Sequence, residues 1–325
     1  MGRYPLRRGI AALLVWCLVC GCRDGFAQTP NGRESLSRDY ASDILNEAVN
    51  TNTLFASQDV ISNGRFLKRR QGQPDTKYEM FRLPAEFSLG SKGDTVRPFV
   101  RGMFGALRAT SGVAPVEGGG QSDFSVTELF SVTSGIGCWI QLTEGLSVAP
   151  AALVSYTHLS NAYDFNNSFS QDVLRRQYGD FYNWNLDVLT YIPSFRAVYE
   201  GHIGDDRWRN TVSVSQLLND SVHTTSDSAQ INSASGIVSN RIEYQRSLGV
   251  SVGSATLALQ PFFQWSNISG KAASGLSLVN LFEVGADVLS LLKEPWLIFS
   301  EVYVGASYVS GDNFEGYHIG IGAHV

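Results

Sequence analysis

Leu146-Ser147-Val148-Ala149-Pro150-Ala151-Ala152-Leu153-Val154-Ser155-Tyr156-Thr157 is the stretch that decides the fold. Read at period two, Leu146, Val148, Pro150, Ala152, Val154 and Tyr156 form one row. Ser147, Ala149, Ala151, Leu153, Ser155 and Thr157 form the other. Successive strand side chains point to opposite faces, so one row meets one environment and the second row another. A strand whose even row meets lipid and whose odd row meets a lumen is the unit of a transmembrane barrel.

Working outward, the same alternation returns in Ala255, Leu257, Leu259, Pro261, Phe263 and Trp265. It returns again at the C-terminus, where Tyr317, Ile319, Ile321, Ala323 and Val325 alternate with His318, Gly320, Gly322 and His324. Marking every such run predicts an all-β fold, a transmembrane antiparallel β-barrel of about twelve strands over residues 53–325. The expected spans are 53–65, 76–90, 96–109, 122–138, 144–158, 184–200, 207–218, 233–247, 253–265, 277–290, 296–310 and 314–325. Bacterial barrels have even strand numbers, short periplasmic turns and longer outer loops. The connections at 91–95, 139–143, 201–206, 248–252 and 291–295 are short. Those at 110–121, 159–183, 219–232 and 266–276 are longer and polar or Gly-rich. An even count puts both barrel ends in the periplasm and every long loop outside.

Composition agrees. Charged residues are 17% of the chain and aromatics 11%, against roughly 25% charged in an average soluble domain. Beyond the N-terminus no apolar run approaches the roughly 20 residues of a spanning helix, which excludes a helical membrane protein. A net charge of -5 argues against a nucleic-acid partner.

Residues 1–27 read as a secretory signal peptide: Arg3, Arg7 and Arg8 form the basic region, Ile10 to Cys20 the apolar region, and Gly25-Phe26-Ala27 a small-x-small cleavage site. A competing reading is a lipobox at Val19-Cys20-Gly21 with Cys22 acylated. Cleavage at Ala27 leaves Cys138 alone, so no intrachain disulfide is expected. Residues 28–52 read as a polar leader and a short helix. Over 37–50, Ser37 offers an N-cap, and Tyr40, Ile44, Leu45, Ala48 and Val49 recur at helical spacing. That helix is either a periplasmic lead-in or a plug in the lumen.

Charges face lipid only at high cost, so strand charges belong to the lumen by expectation. The lumen-lining set is Arg82, Glu86, Arg97, Arg101, Asp187, Arg196, Arg241, Glu243, Glu283, Asp287 and Glu301, with His318 and His324 added by parity. Trp184, Trp208, Trp265, Trp296, Tyr308 and Tyr317 lie near strand ends, where amphipathic rings form interfacial girdles.

A short helix followed by a twelve-strand C-terminal barrel resembles the translocator domain of autotransporters, in which the helix threads the barrel. Arg82-Leu83-Pro84-Ala85-Glu86-Phe87, Arg97-Pro98-Phe99-Val100 and Gly145-Leu146-Ser147-Val148-Ala149-Pro150 fit that pattern. With almost nothing between the cleavage site and the helix, the chain resembles a solitary autotransporter-like barrel without a passenger, over residues 37–325. The resemblance implies a pore, translocation or structural surface module in the cell outer membrane. It also implies outer-membrane lipid, lipopolysaccharide and the barrel-assembly machinery as partners. The terminal His324-Val325 departs from the aromatic ending common in such barrels.

One stretch points to chemistry instead. In His158-Leu159-Ser160-Asn161, His158 and Ser160 share the even, lipid-facing row at the outer end of the strand. Serine attack on an ester needs a base within hydrogen-bond reach and a group that orients the base. The arrangement is similar to the catalytic stretch of outer-membrane phospholipase A and the lipid A deacylases, whose third member is an Asn or Glu. By position that member here is Asp172, then Asp164 or Asn166. The bland reading is that His, Ser and Asn are ordinary where a strand leaves the membrane. No cofactor motif is present. Calcium enters only with the hydrolase reading, on oxygens such as those of Asp164-Phe165-Asn166-Asn167. His202, placed in a turn, and His223, in an outer loop, have no zinc-like spacing. The alternatives to a non-enzymatic barrel are therefore a serine lipid hydrolase and a soluble two-domain β-protein whose even rows pack together.

Overall fold

A strand that pairs its backbone with neighbours on both sides leaves no unsatisfied N–H or C=O, provided the last strand returns to the first. The chain does this. A computed structural model describes residues 63–69, 75–90, 93–113, 123–166, 171, 175, 182–225, 232–253, 255–296 and 299–324. They form twelve antiparallel strands: β1 (Gly64–Lys68), β2 (Thr76–Ser88), β3 (Val96–Val113), β4 (Asp123–Gln141), β5 (Leu146–Asp164), β6 (Trp184–Ile203), β7 (Asp206–Thr224), β8 (Asn232–Val252), β9 (Ala255–Gly270), β10 (Asn280–Trp296), β11 (Phe299–Gly311) and β12 (Phe314–His324). Each pairs with its sequence neighbours, and β1 closes the barrel against β12. A six-residue helix, α1 (Lys271–Leu276), follows β9. The expected signal peptide, the leader and helix of 28–52, the 53–62 part of the first expected strand and Asp172 lie outside the described residues.

Most strands run further than expected. β8 has 21 residues, whereas a tilted strand crosses the apolar layer in about 9–11. The expected turn at 139–143 becomes 142–145, that at 201–206 becomes 204–205, and β5 continues to Asp164. The ladder does not stop where the apolar row stops, because water-facing strand residues keep the same backbone bonds. The described part of the first expected strand also runs on, with β1 continuing to Lys68.

The phase of the alternation is as expected. On β5 the odd residues Leu153, Ser155, Thr157 and Leu159 are buried, and the even row Val154, Tyr156 and His158 faces out. Large apolar side chains cover the outside, with Ile136 at 68% and Ile321 at 73% exposure. Aqueous proteins do not present a continuous apolar girdle of this extent. Because the rows face outward rather than each other, the soluble two-domain alternative does not hold. Inside, glycines make room for large partners: a Cβ on Gly137 would collide with the Phe99 ring, and one on Gly305 with the Asp287 carboxylate.

Ile136 lies in the middle of the outward row of β4 (Phe130 to Ile140). Ile136→Arg is expected to destabilise the barrel by about 2–4 kcal/mol, the cost of Arg on the lipid face at mid-depth. Reversible urea unfolding in phospholipid vesicles measures it, and Ile136→Ala is the reference.

Candidate functional site

The lumen divides into two halves by chemistry. Towards the long-loop end it is packed with apolar side chains, among them Leu107, Leu129, Leu159, Leu186, Leu217 and Leu281. Trp184 belongs here. It was expected in an interfacial girdle, but it is 3% exposed and shares the inward even row of β6 with Leu186 and Val188. Towards the short-turn end the lumen is ionic. Glu86 accepts hydrogen bonds from Arg101 (Nε at 2.8 Å) and from Trp139 Nε1 at 2.9 Å, and Arg196 stands 3.9 Å away. Arg196 also lies over the Trp139 ring at 5.7 Å, and Arg101 over Phe99 at 5.3 Å. Such stacking favours guanidinium over a bare ammonium.

A second network crosses β6, β7, β8 and β10. Glu200 holds Arg207 at 2.6 Å and Arg209 at 2.8 Å, Arg209 lies 3.7 Å from Glu243, and Arg241 joins Glu243 at 2.6 Å to Asp287 at 3.4 Å. A third cluster has Ser307 Oγ donating to Glu283 at 2.5 Å beside His318, whose Nδ1 is 3.4 Å from that carboxylate. The inward set therefore includes Arg82, Glu86, Arg97, Arg101, Arg196, Arg241, Glu243, Glu283, Asp287 and Glu301 by strand parity. Arg207, Arg209, Glu200 and Trp139 belong with them and were missed, although Arg207 and Arg209 share the row of the inward Ser213. Between the two halves is a cavity of about 20 Å³ lined by Phe99, Arg101, Leu153, Ile192, Arg196 and Ser213 among others, room for about one water. The inward charges of β2, β3 and β6 are net positive (Arg82, Arg97, Arg101 and Arg196 against Glu86 and Glu200), and those of β8, β10 and β11 are net negative (Glu243, Glu283, Asp287 and Glu301 against Arg241). The lumen thus has opposed walls.

Asp187 is not in the lumen. It faces outward from β6, directly opposite His158 on β5, and its Oδ1 lies 2.6 Å from His158 Nδ1. The charge-in-lumen rule fails here because Asp187 lies beyond the apolar row that ends at Leu189. A β-bulge in β7 at Val222 brings His223 opposite Asp187 as well. Bulges re-aim side chains in this way. His223 thus lies in a strand and not in a loop, and His202 likewise falls within β6 rather than in a turn. Ser160 shares the outward row with His158, but among the described residues it makes no hydrogen bond to it. Asp164 and Asn166 are not the partners of His158. Asn161 points inward and accepts from Ser125 and Thr127 at 3.0 and 2.7 Å. The backbone of Asn166 donates to Asp123 at 2.6 Å.

Residues 50–321 match the family model of the solitary outer membrane autotransporter beta-barrel domain. The chain belongs to this family. The match reaches all twelve strands, ending within β12, and it places this solitary autotransporter-type barrel in the outer membrane. No curated protein matches the chain. Among solved structures it is similar to the translocator domain of the autotransporter NalP from Neisseria meningitidis, at 10% identity over 89% of this chain and 99% of that one, with a TM-score of 0.54. It is also similar to the transport unit of the autotransporter AIDA-I from Escherichia coli, at 14% identity over 86% and 99%, with a TM-score of 0.52. The beta domain of the Bordetella autotransporter BrkA aligns at 11% identity over 81% and 96%, with a TM-score of 0.49. At these identities the solitary autotransporter-type barrel shares the fold of the NalP and AIDA-I domains.

Proposed function

We propose that the barrel is a pore or translocation module whose lumen is occupied by the chain's own N-terminal segment. The observation that carries this is where β1 begins. Gly64 pairs with Met80 and His318, but β2 continues to Ser88 and β12 to His324, so the chain joins the wall partway down. At that point Asn63 Oδ1 accepts from the backbone N–H of Arg82. A side chain thereby takes the next ladder bond, and the ladder ends. Backbone leaving the wall there has two directions open to it. Outward is hydrocarbon, where each unpaired peptide group costs several kcal/mol; inward is the lumen. Charge agrees with the inward path, since residues 39–63 carry Asp39, Asp43, Glu47 and Asp59 with no Lys or Arg. The lumen wall of β2, β3 and β6 carries four arginines against two glutamates, Glu86 and Glu200.

Planar-bilayer conductance of the full chain against a variant lacking residues 28–52 tests this reading. The full chain is expected to be nearly closed and the shortened chain several-fold more conductive. Because both charge signs line the lumen, the open form is expected to show weak ion selectivity. Equal, closed behaviour of the two proteins would contradict the proposal. Export through a cleaved signal peptide at residues 1–27 belongs to the same reading, and N-terminal sequencing of the mature protein checks it.

One observation favours a second reading. His158 and Asp187 form the base-and-orienter pair that a serine hydrolase needs, on the outward face and beside Ser160. This reading moves the third member from Asp172 to Asp187. The lack of a hydrogen bond between His158 and Ser160 places it second. Fatty-acid release from phospholipid or lipopolysaccharide by detergent-purified protein, with and without calcium, decides it. The pore reading expects no release that Ser160→Ala abolishes, and release lost in both Ser160→Ala and Asp187→Asn would reverse the order.

A further inference from the structure

Six outward-facing residues form one unbroken cross-strand row: Tyr308 on β11, Tyr317 on β12, Arg65 on β1, Glu79 on β2, Arg108 on β3 and Glu128 on β4. Each lies directly opposite the next in register. The row follows immediately on the apolar girdle, at its loop-side edge. The next outward residue towards the short-turn end is Phe81 on β2, Ala106 on β3, Phe130 on β4 and Ile319 on β12. Lys77 lies one step beyond Glu79 on β2.

The patch is one-sided. In the loop-side half of the described strands, the outward-facing Lys and Arg residues are Arg65, Lys77 and Arg108, all on β1 to β3. On the opposite side the same level carries Asn240, Asn267 and Asn280. Within the row, Arg65 lies 3.1 Å from Glu79 and Arg108 lies 3.8 Å from Glu128, with all four side chains more than half exposed. Exposed pairs of this kind add little stability, so the concentration of charge on three strands is not accounted for by the barrel's own folding.

We propose that this patch binds one phosphorylated glycolipid of the outer leaflet, lipopolysaccharide, by its headgroup. The inference rests on the outer-membrane placement and is independent of what fills the lumen. Arg65 and Arg108 are two strands apart, about 10 Å, and each guanidinium presents a fork that fits a phosphate bidentately. Tyr308 and Tyr317 continue the row beside Arg65, with ring centroids 5.6 Å apart. Each offers a ring face to a sugar and a hydroxyl to its oxygens. Glu79 and Glu128 stand between and beside the arginines, where a carboxylate meets the divalent cation that bridges neighbouring phosphates. Below the row, Phe81, Leu83, Phe104 and Phe130 present an aromatic and aliphatic surface for the acyl chains, with Phe104 and Phe130 packed edge to face at 4.9 Å. A phosphoglyceride supplies the phosphate and the chains but no sugar.

Native mass spectrometry of the full chain in detergent, titrated with lipopolysaccharide, phosphatidylglycerol or inorganic phosphate, tests the assignment. Wild-type protein is expected to retain one lipopolysaccharide at least tenfold more strongly than phosphatidylglycerol, and not to be competed by phosphate. Retention is expected to fall tenfold or more in R65Q/R108Q and about threefold in Tyr317→Ala, and to be unchanged in Asn240→Ala on the far side. Folding of each variant is checked by heat-dependent gel mobility. If R65Q/R108Q does not fold, K77Q/Y317A replaces it, since both residues are exposed. Retention within twofold of wild type in folded R65Q/R108Q or, in its place, folded K77Q/Y317A, or equal retention of phosphatidylglycerol, overturns the proposal.

Discussion

A peptide group in hydrocarbon has no water to bond, and every other feature of this protein follows from meeting that demand. Twelve strands satisfy one another around a closed circuit, and the closure depends on β1, five residues placed between β12 and β2. Because β1 is so short, closure by this strand is confined to the loop-side half of the wall. The rest of the junction between β2 and β12, and the chain that leads into Gly64, are therefore where the requirement is hardest to meet. Asn63 capping Arg82 is one local answer, and the proposed path of the N-terminal segment through the lumen would be a second.

Closure also fixes the interior. A barrel of this size has a lumen that side chains reach across. Leu159, Leu186 and Leu217 fill the loop-side half, and the ion pairs around Glu86, Glu200 and Arg241 fill the turn-side half. In the proposed pore reading, this apolar seal beside a charged vestibule restricts passage until something in the lumen moves. It also gives a polar segment a reason to sit at the charged end. Pores, translocators, enzymes and adhesins share barrels of this kind, so the division of the lumen, rather than the fold, is what separates the readings.

Much of this was legible in the residues. The period-two rows of 146–157 and 255–265 carried the fold, the phase and the inward place of Arg101, Arg241 and Glu283, since side-chain alternation is local and lipid penalises the wrong phase heavily. Strand ends were not legible, because alternation of apolar with polar residues ceases at the membrane surface while backbone pairing continues. The same boundary explains Asp187: a charge is barred from the lipid row only within the apolar layer. Trp184 misled in the opposite sense, as an aromatic near a strand end fits either an interfacial girdle or an inner seal, and only its parity with Leu186 decides. The pairing of His158 with Asp187, 29 residues away, depends on register, which no local pattern prints.

The central claim is that one period-two pattern separates lipid from lumen. Spin labels placed one at a time at cysteines substituted for residues 147 to 156, in a Cys138→Ser background and reconstituted in lipid, test it directly by their collision rates with oxygen and with a water-soluble nickel chelate. The account predicts a two-residue oscillation, with oxygen accessibility highest at Val148, Pro150, Ala152, Val154 and Tyr156 and lowest at Ala149, Ala151, Leu153 and Ser155. A flat profile, or one with the opposite phase, would contradict it.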